Sequence, residues 1–297
     1  MAARVVATVW RPTLRVEVRK TYKLFIGGAF PRSESGRSYP VRSASGEFMA
    51  NAALASRKDA RDAVRAARSA FGKWSAATAY NRGQILYRVA EMLEGRRAQF
   101  MSEVAAWDPA GAEAEVDNAI DRWVWYAGWS DKIAQVHGAG NPVAGPYFNL
   151  STPEPTGVVT VLAPPDSSLL GLVSVVAPVI VTGNTAVVVT SEERPLPAVT
   201  LAEVLATSDL PGGVVNLLTG RVAEVAPWLA SHMDVDGIDL SGVTDAKLAT
   251  DLEVAAAENL KRVLRPAQTS TDWAADPGLD RILAFLETKT VWHPKGI

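Results

Sequence analysis

Few side chains in this sequence could do chemistry, and their types restrict which chemistry. The chain has no cysteine, so no thiolate can serve as nucleophile, metal ligand or redox centre. His137, His232 and His293 are its three histidines, too far apart in sequence to mark a metal site. Asp234, Asp236 and Asp239 alternate closely enough to suggest a cation loop. Ser167 and Ser168 have no His or Lys near them in sequence to activate a hydroxyl. Glu192-Glu193-Arg194 reads as the solvated entry to a helix, and Asp209 as turn chemistry before Pro211. Trp123, Trp125, Tyr126 and Trp129 could stack on bases or sugars. Their near-helical spacing, with no basic groove beside it, reads instead as packing.

Charge and hydropathy narrow the classes further. Lys and Arg total 30 against 32 Asp and Glu, which leaves no basic footprint for nucleic acid. The longest apolar stretch, Leu169 to Val189, is broken by Pro178 and by Gly183-Asn184. It predicts a buried helix, a turn and a strand rather than a membrane span. The first twenty residues carry no continuous apolar run and remain unassigned, and no signal peptide is read there. The expected location is cytoplasmic, with no membrane partner.

The elements that must position these groups follow from periodicity. Tyr22 to Phe30 reads as two short extended pieces around Gly27-Gly28, and Arg32 to Gly46 as loop. Helices are expected from Asp59 to about Trp74, from Asn81 to about Ala106, and from Glu113 to about Val136. His137 to Pro155 reads as a protruding hairpin. From Thr156 to Leu260, runs of Val, Ile and Leu alternate with helical segments. That alternation predicts an α/β fold with a Rossmann-like parallel sheet and right-handed crossovers.

Eight segments, in order, resemble the aldehyde dehydrogenase superfamily. They are FIGGAF (25–30), DARDAVRAARSAFGKW (59–74), WVWYAGWSDKI (123–133), PTGVVTVLAP (155–164), GNTAVVV (183–189), LPGGVVNLLTG (210–220), HMDVDGIDLSG (232–242) and NLKRV (259–263). LETKTVWHP (286–294) resembles the family's C-terminal strand. The family's catalytic domain, which follows NLKRV, has only a short connector in its place. The resemblance implies a cofactor-binding domain over 21–264, interrupted by an oligomerisation hairpin at 137–155. A connector with a helix follows at 265–285, and an oligomerisation strand at 286–297. The chain is also similar to the vestigial second half of family-16-like aldehyde dehydrogenases.

Residue by residue, the resemblance implies vacated chemistry. The family's general-base Glu position holds Pro266, which has no acid–base group. Its oxyanion-hole Asn position holds Asp166, an anion where a donor is needed. The ribose Lys position is Val189, while the acidic ribose position keeps Glu192. The phosphate contact retains Gly242 and Thr244 but loses the serine between them, and Lys247 stands at a further family glycine. The helix N-terminus there, with Lys247, could still meet a phosphate. His232 matches a structural loop histidine, and the Asp234-x-Asp236 pair leads into a strand without binding metal.

The expectations are therefore no metal and no cofactor, or weak NAD(P) binding at most. The expected role is a pseudoenzyme that partners a full-length aldehyde dehydrogenase subunit as a hetero-oligomer. One alternative is an NAD(P)-dependent oxidoreductase, aldehyde to carboxylic acid, active only in complex. Another is a nucleotide-binding regulatory module.

Overall fold

The structure is a computed structural model that describes residues 20–267 and 269–296. The N-terminal segment left unassigned above lies, up to residue 19, outside the described residues. Gly27 and Gly28 turn the chain at φ of 62° and 85°, a backbone region open to glycine at little cost. Ile26 and Ala29 close that turn through reciprocal bonds of 2.9 and 3.0 Å. The segment expected as loop contains a strand, β1 (Ser38–Arg42), paired antiparallel with β2 (Phe48–Ala53). Val41 is the reason: it is buried against Ala52, Leu196 and Val199, a tertiary contact that local sequence does not display.

Helix α1 (Arg57–Ala76) begins at a capping box. Ser56 Oγ accepts the Asp59 amide, and Asp59 Oδ2 accepts the Ser56 amide at 2.8 Å. The helix expected from Asn81 is two, α2 (Ala79–Glu94) and α3 (Arg97–Ala105), parted at Gly95-Arg96. The next is also two, α4 (Ala112–Trp129) and α5 (Ile133–His137). Val116, Ala119, Trp123 and Tyr126 of α4 are fully buried, so those aromatics are packing, as their spacing implied. The hairpin follows as β3 (Ala139–Asn141) and β4 (Tyr147–Pro155).

Then the α/β region runs β5 (Val158–Leu162), α6 (Leu170–Val181), β6 (Thr185–Val189), α7 (Leu196–Ala206), β7 (Val215–Leu218), α8 (Val222–Ala230), β8 (Gly237–Asp239), α9 (Ala246–Ala257) and β9 (Arg262–Leu264). The five strands are all parallel, in the order β7-β6-β5-β8-β9. Along β5, Val159 and Val161 face one core while Val158 and Leu162 face the other; β6 alternates likewise. Burial on both faces explains why these runs are apolar throughout. Helices α4, α6 and α7 cover one face, and α1, α8 and α9 the other.

A connector leads through the short α10 (Asp280–Leu283) to β10 (Leu286–Pro294). β10 pairs with β4, which pairs with β3, forming a separate antiparallel arm. Among the described residues, no helix is long and apolar enough to cross a membrane.

Candidate cofactor cleft

Strand order reverses between β5 and β8, and ligands of doubly wound sheets bind outside the carboxyl ends at such a switch point. A cleft of about 540 Å³ lies there, lined by Asp166, Thr244 and Pro266 among others. Three positions far apart in sequence are thus brought together. Gly242 lies between the lining residues Ser241 and Val243, and its amide donates to Leu162 O at 2.9 Å. A Cβ on Gly242 would stand 2.1 Å from Ala163 O, so only glycine lets the loop after β8 lie against the end of β5.

Glu192 is not in this cleft. It lines a second one, of about 460 Å³, with Tyr39 and Trp107, and its carboxylate faces Arg221 at 3.5 Å. Asp166 and the Glu192 loop are nevertheless neighbours, because Arg194 Nη1 donates to Asp166 O at 2.9 Å. Val189 is fully buried, so the ribose lysine position has become part of the core.

The start of α9 differs from expectation. It is not bare: Asp245 Oδ1 accepts the amides of Lys247 and Leu248 at 2.8 and 3.2 Å. Lys247 turns along the helix to Asp251, at 2.6 Å, instead of reaching into the cleft. The exposed Thr244 remains at the mouth. Beside the cleft, then, stand the half-exposed carboxylate of Glu192 and, at its mouth, the hydroxyl of Thr244.

The other candidates resolve into structural roles. Asp236 accepts the Val158 amide at 2.7 Å and pairs with Arg68. Asp239 pairs with Arg281 at 2.9 Å. His232 Nδ1 accepts the Asp234 amide at 3.1 Å, and burial pushes its pKa below the usual imidazole value. Among the described residues, no cluster of three or more His, Asp or Glu could hold a metal. Ser167 Oγ donates to Glu115 at 3.2 Å and accepts the Gly171 amide at 2.8 Å, so it caps α6.

Three residues that sequence reasoning passed over shape the site. Glu115 of α4 accepts the Leu169 and Leu170 amides at 2.8 and 3.3 Å, placing a carboxylate at the start of α6. Arg122 and Arg281 hold the connector. Asp245 fits a helix-start signature that was readable: an Asp ahead of the periodic Ala246-Lys247-Leu248 run.

Residues 30–265 match the model of the aldehyde dehydrogenase family. Retinal dehydrogenase 2 of Gallus gallus is 37% identical over 260 residues, covering 85% of this chain and 49% of that protein. An NAD+ complex of aldehyde dehydrogenase from Bacillus cereus superposes with a TM-score of 0.76 at 26% identity, over 82% of this chain and 50% of that one. A betaine aldehyde dehydrogenase point mutant from Staphylococcus aureus, in complex with NAD+, gives a TM-score of 0.76 at 25% identity, over 81% of this chain and 49% of that one. The chain thus spans about half the length of the relatives it matches.

These neighbours overturn one expectation. No cofactor, or weak NAD(P) binding at most, is the expectation from the lost lysine and serine, yet the same fold carries NAD+ in both solved neighbours. Two lost side-chain contacts leave the switch-point cleft itself in place. The matched family model, the relatives and the shared fold agree: the chain belongs to the aldehyde dehydrogenase family.

Proposed function

We propose that the chain is a non-catalytic member of this family. It binds NAD(P) and lends its strand arm to a full-length aldehyde dehydrogenase subunit as a structural or regulatory partner. The observation that carries this reading is the arm. β10 pairs with β4 from Leu286 to Pro294, and no other strand pairs with β10 among the described residues. Its residues from Glu287 to Pro294 are exposed, and Phe148, Leu150, Val291 and Trp292 leave apolar surface there. An unpaired edge beside apolar side chains is a template for strand addition by another chain.

The residues at the cleft support the non-catalytic half of the reading. Bound NAD(P) supplies a hydride acceptor. Glu192 would hold its ribose hydroxyls and Thr244 would meet its diphosphate. Asp166 offers no donor at the oxyanion position, Pro266 no general base at the Glu position, and the chain brings no thiol.

Coexpression with a full-length aldehyde dehydrogenase of the same organism tests it. Affinity purification through this chain is expected to return a complex, in which the enzyme melts at a higher temperature than alone. Val291→Glu, on the exposed arm, is expected to leave the chain folded and to abolish the complex. A well-behaved lone chain with no bound enzyme sinks the reading. So does NADH formation by the purified chain alone with NAD and a panel of aldehydes.

A further inference from the structure

A cavity of about 630 Å³ opens between the start of α1 and the end of α8, and it shares no lining residue with the two clefts described above. That volume is within the range of small-molecule sites. Its apolar wall is made by Trp228, Leu229 and Met233. Leu229 is buried, whereas Trp228 and Met233 are 43% and 70% exposed, so two large side chains stay open to a ligand. The start of α1 adds no free amide pocket, because Ser56 and Asp59 already cap it.

The cations that line the cavity are not equivalent. Lys58 meets Glu34 at 3.3 Å, and Arg61 meets Asp62 at 3.0 Å. Arg57 makes neither an ion pair nor a side-chain hydrogen bond among the described residues; its guanidinium lies over the Trp228 ring, 3.8 Å from the ring centre. Stacking on an indole holds a guanidinium in place and leaves its in-plane N–H fork free, and that fork matches a carboxylate in two parallel bonds. His232 supplies a second donor. Its Nδ1 accepts the Asp234 amide, so the neutral ring carries its proton on Nε2, and burial lowers its pKa, which keeps the ring neutral at pH 7. Charge balance then selects the ligand. Glu34 and Asp62 offset Lys58 and Arg61, which leaves Arg57 as the one unmatched cation among the described lining residues. One cation suits a monoanion better than a phosphate dianion.

We propose that this cavity binds a small organic monocarboxylate: Arg57 takes the carboxylate, with His232 as a second donor, and Trp228, Leu229 and Met233 take a flat apolar body. The site stands apart from the cofactor clefts, so its failure is separable from failure of the NAD(P) reading.

Calorimetry on the purified full chain tests it, with cinnamate as the probe. A Kd of about 1 mM is expected for a ligand of this size. Arg57→Gln is expected to weaken binding at least about ten-fold, the effect of losing a charge-assisted pair. Cinnamyl alcohol, with the same body and no charge, is expected to bind the parent as weakly as cinnamate binds that variant. Trp228→Ala keeps the cation and is also expected to weaken cinnamate binding. If Arg57→Gln does not fold, Arg57→Lys serves, since it keeps the charge, loses the fork and is still expected to bind more weakly. Equal cinnamate affinity in the parent and the Arg57 variant overturns the proposal. So does inorganic phosphate binding as tightly as cinnamate, because the anion alone would then be recognised. Tighter binding of an oligoglutamate peptide than of cinnamate would make the surface a protein contact and also overturn it. Saturating NAD is expected to leave cinnamate affinity unchanged; competition would put the carboxylate in the cofactor cleft and sink the proposal.

Discussion

Arg281 and Asp239 stand 42 positions apart in sequence, and their side chains meet at 2.9 Å. Asp239 ends β8 with 1% of its surface exposed, and its other oxygen accepts the Ser241 amide at 2.9 Å. A carboxylate so deeply buried needs a charged partner. The connector supplies it, so the pair fastens the segment after β9 to the carboxyl end of β8, an inner strand of the sheet. Arg281→Met is expected to destabilise the chain by about 3 kcal/mol, because Asp239 would keep its burial and lose its cation. Adding Asp239→Asn should recover most of that loss, since the amide oxygen still serves Ser241. Urea unfolding of both variants checks this. Equal losses in the single and double variants would mean that the two side chains are not coupled.

Glu115 predicts a second loss. Its carboxylate takes two amides at the start of α6 and the Ser167 hydroxyl. Glu115→Ala is expected to cost about 2 kcal/mol, since the helix loses both an acceptor and a charge at its N-terminus. Glu115→Gln keeps one acceptor and should cost about half as much. A loss below about 0.5 kcal/mol for Ala, read by denaturant unfolding, would mean that water replaces the cap without penalty.

How far the sequence revealed all this depends on the range of each contact. The parallel sheet was legible because Val158–Leu162 and Thr185–Val189 are buried on both faces and read as apolar runs. β1 was not, because only Tyr39 and Val41 lie among Ser38, Pro40 and Arg42, and their burial depends on Leu196 and Val199 far along the chain. The break between α2 and α3 escaped because apolar residues continue on both sides of Gly95. At the site, the family-like segments named Asp166, Thr244 and Pro266 one by one, and only the fold shows that they line one cleft. The anchors Glu115, Arg122 and Arg281 left no local signal, since each acts on an element distant in sequence. The cofactor expectation failed for a different reason: counting lost contacts ignores what the remaining cleft still offers.

Glu192 offers the sharpest check on the corrected cofactor reading. Its carboxylate is half-exposed, with Arg221 at 3.5 Å, in a cleft beside the switch point. Hydrogen bonds from ribose hydroxyls to a charged carboxylate are worth about 1.5–3 kcal/mol. Glu192→Ala is therefore expected to weaken NAD binding at least about ten-fold in calorimetry. An unchanged affinity would place the ribose elsewhere.

Glu103 predicts how stability changes with pH. It is buried on α3, where Oε1 accepts Tyr22 OH at 3.1 Å, Gln99 Nε2 at 3.3 Å and Thr200 Oγ1 at 2.7 Å. Burial raises its pKa above the ordinary 4.5, against the lowering by those donors and by Lys20. The folded chain thus holds this proton more tightly than the unfolded chain does. Its contribution to stability is complete below pH 4.5 and is lost as pH rises through the raised folded value. Glu103→Gln keeps an acceptor and removes the titration. Relative to the parent, the Gln variant is expected to gain stability as pH rises above 4.5 and to gain none below it. Unfolding free energies measured across that range decide the point. Carboxylates whose pKa is lowered, such as Glu287 beside Arg262, titrate identically in both proteins and cancel from the difference. A difference between variant and parent that stays flat with pH would mean that Glu103 is no more reluctant to ionise in the fold than in the open chain.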